Sequence, residues 1–76
     1  MNLHELKNGE TGEINGIEAG CELYRRLEDM GLIVGKKVTI IRSAPFKGPI
    51  LIEIMDSGQR LMLGRNICKK ILIQKQ

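Results

Sequence analysis

The side chains of this 76-residue chain that could do chemistry are few: one histidine, His4, two cysteines, Cys21 and Cys68, and scattered carboxylates. A nucleophile needs a base within hydrogen-bond reach and a third group to orient that base. His4 lies in an N-terminal segment that reads as loose, and no Asp or Glu is spaced to support it. Glu28 and Asp29 are helix neighbours that point away from each other, so they form no acid–base pair. "GLIVGKK", residues 31–37, invites comparison with a phosphate-binding loop. It has three residues between its glycines instead of four, lacks Ser or Thr after the lysine, and follows a helix where a strand is required. A helix cap followed by a turn accounts for both glycines. No reaction class survives, and the chain reads as a non-enzyme.

Metal chemistry fares no better. A tetrahedral site would need His4, Cys21 and Cys68 to converge, and their spacing offers no CxxC or similar pairing. No metal site and no cofactor are expected. In a reducing cytosol both cysteines stay thiols, and each reads as a small buried hydrophobe. The longest apolar runs are three or four residues, far short of the roughly 18 of a membrane span. Residues 1–9 carry Glu5 and no apolar core, so they do not read as a signal peptide. A cytoplasmic location is expected.

The net charge of +3 conceals an asymmetry. Residues 1–32 hold seven acidic and three basic residues, and residues 33–76 hold nine basic and two acidic. A basic face would suit an acidic partner, a nucleic acid or an anionic membrane surface. Barrels that bind single strands do so on aromatic platforms beside the basic groove. With Tyr24, Phe46 and no Trp, this chain has little to stack with, so nucleic acid ranks as the runner-up partner.

The elements that must position any binding residue follow from periodicity. "TGEINGI", residues 11–17, reads as a strand in which Gly12 and Gly16 share a face with Ile14 and let the sheet curl. "GCELYRRLEDMG" changes period: Leu23, Leu27 and Met30 recur on one helical face, with Glu22 placed to pair with Arg26 on the other. Gly31 should close that helix in a left-handed conformation, with Leu32 folding back on the last turn. From residue 36 the period is two, in "KKVTIIRS", "PILIEIM", "RLML" and "KILI". Gly48-Pro49, Asp56-Ser57-Gly58 and Gly64-Arg65-Asn66 separate these strands as turns. Five short strands with one short amphipathic helix predict a mainly β domain, a small, highly curved, partly open barrel spanning residues 1–76.

At "RRLEDMGLIVGKKVTIIRSAPFKGPILIEI" the order Arg-Leu, Met-Gly-Leu, a Gly before a basic strand, then Ala-Pro and a second Pro resembles the FeoA family. "GETGEINGI" and "LMLGRNICKKILI" extend the resemblance over nearly the whole chain. The resemblance implies an SH3-like barrel without enzymatic activity, an accessory protein of ferrous iron transport docking on FeoB, a GTPase-coupled transporter. A similar domain closes metal-responsive repressors of the DtxR type, which makes a repressor-like regulatory module part of the nucleic-acid alternative. Ferrous-iron carriage by the chain itself would need clustered ligands and ranks last.

Carried over by position, the family pattern covers Arg26, Leu27, Met30, Gly31, Leu32, Gly35, Ala44, Pro45 and Pro49. Core packing and backbone geometry account for most of these. The candidate partner-binding set is therefore Arg25 and Arg26 on the helix with Ala44, Pro45, Phe46, Lys47, Gly48 and Pro49 in the loop. Lys47 and Gly48 stand where family loops commonly read Gly-Asp, which alters the loop's charge. Cys68 replaces a small apolar residue and Gly64 one that is often basic. Pro45 and Pro49 should break the sheet and present "SAPFKGP" as a preordered loop with Phe46 at its tip. Two readings of Phe46 stand, a core aromatic and an exposed anchor.

Overall fold

The computed structural model describes every residue except Phe46 and Lys47. Five strands, β1 (Thr11–Ile17), β2 (Lys37–Ser43), β3 (Ile50–Ile54), β4 (Arg60–Leu63) and β5 (Ile71–Lys75), form one antiparallel sheet in the order β4-β3-β2-β1-β5. Helix α1 (Cys21–Asp29) links β1 to β2, and a four-residue helix, α2 (Arg65–Cys68), links β4 to β5. The strands lie where alternation places them, because each apolar face has to be buried. Val38 and Ile40 of β2, Ile50, Ile52 and Ile54 of β3, Leu63, Ile71 and Ile73 are all core. Among the described residues the core is aliphatic apart from Cys68 and contains no polar or charged side chain. It also contains Leu3 and Leu6, which flank or belong to a 3-10 turn over Leu3–Glu5. The N-terminal segment is thus not loose: two buried leucines anchor it, and the Asn2 N–H donates to Glu5 Oε1 at 2.9 Å.

Two bulges curl the sheet. The β1–β5 register slips between Ile14 and Gly16, and the β2–β3 register slips between Ile40 and Arg42. One extra residue flips the side chains beyond it and sharpens the local twist. Gly16 therefore pairs with half-buried Leu72 and does not share the face of Gly12 and Ile14. Gly12 is buried, and a Cβ there would come within 2.7 Å of Ile73 Cδ1 and 3.2 Å of Leu6 Cδ1. A side chain there would have to displace the ends of Ile73 and Leu6.

Helix α1 ends as its sequence dictates. Gly31 has φ +90°. Its N–H donates to Glu28 C=O at 2.9 Å, and Leu32 N–H reaches Leu27 C=O at 2.9 Å. This is the paired closure of a Schellman motif, and it drives fully buried Leu32 onto Leu27. Leu23 and Met30 pack against the core, partly buried. Among the described residues no ion pair joins Glu22 to Arg26; both stay exposed on the outer helix face, where such a pair contributes little.

Candidate partner-binding surface

The Ala44–Pro49 connection closes the β2–β3 hairpin. Ala44 N–H donates to Pro49 C=O at 3.0 Å, and Gly48 N–H to Pro45 C=O at 3.2 Å. Both prolines lie outside the strands, between the end of β2 at Ser43 and the start of β3 at Ile50, so the ladder breaks at this segment as the sequence leads one to expect. Pro49 contributes the carbonyl it retains, and Pro45 does the same for the turn, so their missing donors are not needed. Gly48 is required by space: a Cβ would lie 2.7 Å from Ala44 Cβ and 3.2 Å from the Pro45 carbonyl oxygen. Phe46, for which a core and an anchor reading both stand, and its neighbour Lys47 fall outside the described residues. Pro45 and Pro49 are exposed; Ala44 and Gly48 are half-buried.

Two side chains from distant parts of the chain hold the stem of this hairpin. Asn8 Oδ1 accepts from Ser43 N–H at 3.2 Å, and Arg65 Nη2 donates to Ala44 C=O at 3.4 Å. Arg65 is the residue that sequence reasoning missed. Its neighbours Gly64 and Asn66 give the signature of a turn, and a four-residue helix is too short to show a period. Its Nε is buried without a hydrogen-bond partner among the described residues, so the guanidinium is wedged under the stem by packing as much as by bonding.

Arg25 and Arg26 are exposed on α1. Gly31, at the end of that helix, packs toward Ile54 at one end of β3, whereas the hairpin turn lies beyond Ile50 at the other. No hydrogen bond or ion pair among the described residues joins the two arginines to the hairpin. A surface cleft of about 290 Å³ lies elsewhere, lined by Gly35, Lys36, Lys37, Met55 and Asp56, with a Lys36–Asp56 ion pair in its wall.

The residues tested for chemistry are dispersed. His4 is half-buried in the 3-10 turn with Nδ1 against Asn2 Oδ1. Cys21 is exposed, contrary to expectation, because it opens α1 on the solvent side; Cys68 is fully buried. Burial pushes the Cys68 thiol up to about 11, against the opposing pull of nearby Arg65. Among the described residues no three His, Cys, Asp or Glu side chains converge on a metal-sized site.

The charge asymmetry of the sequence is folded together rather than left as two faces. β1, from the acidic part, lies between the basic strands β2 and β5. Lys75 Nζ meets Glu10 Oε2 at 2.5 Å, and Lys37 is registered opposite Glu13. The Lys75 contact, with a backbone N–H from Lys7, holds the Glu10 carboxyl below its ordinary range.

Comparison with known proteins agrees with this geometry. The chain is 34% identical over 68 residues to the putative Fe(2+) transport protein A of Methanocaldococcus jannaschii, covering 90% of this chain and 78% of that one. It is 34% identical over 56 residues to an Fe(2+) transport protein A/Fe(2+) transporter FeoB fusion protein of Porphyromonas gingivalis, covering 74% of this chain and 7% of that protein. The solution structure of the Chlorobium tepidum FeoA protein superposes with a TM-score of 0.88 at 35% identity, covering 99% of this chain and 70% of that one. A zinc-complexed FeoA of Stenotrophomonas maltophilia, described as an SH3 domain protein, shares the fold with a TM-score of 0.81 at 22% identity over 97% and 89% of the two chains. The five-stranded fold is SH3-like, the FeoA domain model matches residues 1–75, and this chain belongs to the FeoA family.

Proposed function

We propose that the chain is a non-enzymatic accessory protein of ferrous iron uptake that acts in the cytoplasm by docking on a FeoB-type transporter. The observation that carries this reading is the Porphyromonas gingivalis fusion, in which a segment similar to this chain is joined to FeoB. Covalent linkage replaces a bimolecular encounter by a high effective concentration. A separate chain has to obtain its encounter from its own surface. Among the described residues no helix is long and apolar enough to cross a membrane.

The contact surface in this proposal is the β2–β3 hairpin turn, Ala44, Pro45, Gly48 and Pro49, with Phe46 and Lys47 included on sequence position and Arg25 and Arg26 from α1. Its support is physical. The stem is held by the ladder, by Asn8 and by Arg65, so little ordering entropy is lost on binding. Exposed arginines at a rim speed encounter more than they deepen affinity.

The test is an amide chemical-shift titration of the labelled protein with the cytosolic domain of its cognate transporter at physiological salt. Saturable shifts on Arg25, Arg26 and residues 44–49, with an on-rate that falls as salt rises, are the expected result. A flat titration against both the cytosolic domain and the full transporter in detergent would overturn it.

A further inference from the structure

The sheet has two edges, and they are treated differently. On β5, Ile73 N–H donates to Met1 C=O at 2.9 Å and Asn2 bridges Leu72, so the chain's own N-terminus covers part of that edge. Among the described residues β4 has no such cover. Ile54 N–H donates to Gln59 C=O at 2.8 Å, which fixes the phase of the β3–β4 ladder. Hydrogen-bonded positions alternate along an antiparallel pair. Leu61 and Leu63, registered with Ile52 and Ile50, therefore spend their backbone groups on β3. The N–H and C=O groups of Arg60 and Met62 point away from the sheet. Among the described residues neither backbone has a hydrogen-bond partner on the outer side.

The side chains on that edge carry a second signal. Met62 is 59% exposed. It stands opposite half-buried Leu51, so an apolar pair flanked by Arg42 on the inner side ends at the open edge. Beside it Arg60 Nε meets Glu53 Oε1 at 3.0 Å. That contact uses one of the five guanidinium donors, and the two terminal nitrogens remain for a further carboxylate.

We infer that the β4 edge is a docking site for an extended segment of a partner protein, which adds as a sixth, antiparallel strand with an apolar residue opposite Met62 and an acidic residue opposite Arg60. Main-chain bonds to Arg60 and Met62 supply the attachment, and the two side chains supply the choice of sequence. The strand direction sets the order: apolar residue first, acidic residue two positions later, and between them a residue facing Leu61. A second copy of this chain fits less well. In the registers that set Arg60 opposite Arg60 or opposite Met62, self-pairing of β4 puts the two Arg60 side chains directly or diagonally across one face, where like charges repel. The edge is only four residues long, so a strand docked there binds weakly and needs the charge match. The inference does not rest on the transporter reading, since it concerns the opposite end of the sheet from β5 and a partner defined only by its pattern.

The test uses the acetylated, amidated peptide Ser-Ile-Val-Glu-Ser as probe, titrated into the labelled full chain. Saturable shifts on residues 60–63, with the amide protons of Arg60 and Met62 moving downfield, are expected. Replacing the peptide Glu by Lys should weaken binding roughly threefold or more, the scale of a cross-strand charge reversal. Methylating the backbone nitrogen of the peptide Ile, which faces β4, should abolish it. Met62→Pro removes a donor that β3 does not use, so the fold should persist and peptide binding should be lost; if that variant unfolds, the methylated peptide makes the same discrimination. Absent shifts at 60–63, or equal binding of the Glu, Lys and methylated peptides, would overturn the inference. So would concentration-dependent shifts at 60–63 without peptide, which would assign the edge to self-pairing.

Discussion

The two cysteines show how much one position in the fold decides. Cys21 is exposed at the first turn of α1, whereas Cys68 is fully buried with its thiol pushed up to about 11. Reactivity belongs to an accessible thiolate. One cysteine should therefore react with iodoacetamide at neutral pH in the native protein and a second only in denaturant. Mass mapping that finds Cys68 modified at the native stage would contradict this. Nothing in the sequence separates the two, since each sits among both apolar and charged neighbours. The difference arises because Cys68 closes a short helix over the core while Cys21 opens a longer one on its outer side.

At the scale of the element, the hairpin and α2 behave as one unit because Arg65 spans them. The Nη2 contact is long, and the buried Nε has no partner among the described residues. An unsatisfied buried donor costs about 1–3 kcal/mol, so removing the charged head while keeping the stem should offset most of the lost contact. Arg65→Met is expected to change global stability by less than about 1 kcal/mol in urea unfolding. It should also speed hydrogen exchange at Ala44 and Gly48, whose N–H groups close the hairpin. Unchanged exchange at both would show that Arg65 does not position the stem. Alternation and helical spacing anticipated β1 to β5 and α1 to within a residue or two, because each has an apolar face long enough to show its period. α2 and the 3-10 turn escaped because three or four residues span no more than about one turn.

For the whole molecule, the ion pair between Glu10 and Lys75 ties the chain's last strand to the entry of its first. The Glu10 carboxyl is held below its ordinary range, chiefly by the Lys75 contact. A carboxylate with a depressed native value contributes stability above its unfolded value, and loses it as pH falls through the native one. Urea midpoints should thus be level in this respect above the ordinary carboxylate range and decline on acidification below it. Glu10→Gln should flatten that acid limb. Because Glu10 lies at the surface the effect is small and should shrink further at 1 M salt; a salt-independent acid limb would place its origin elsewhere.

By itself the sequence determined the strand set and the glycine closure of α1, since these rest on local periods and on residues whose backbone geometry is intrinsic, and the order of its motifs carried the resemblance to the FeoA family. The tertiary structure decided what depends on contacts between distant residues. It seated Leu3 and Leu6 in the core, flipped Gly16 through a bulge, and folded an acidic strand between basic ones. It also brought Arg65 beneath Ala44 and left the β4 edge open. Register and edge exposure are properties of pairing between strands, and no single strand encodes its neighbour.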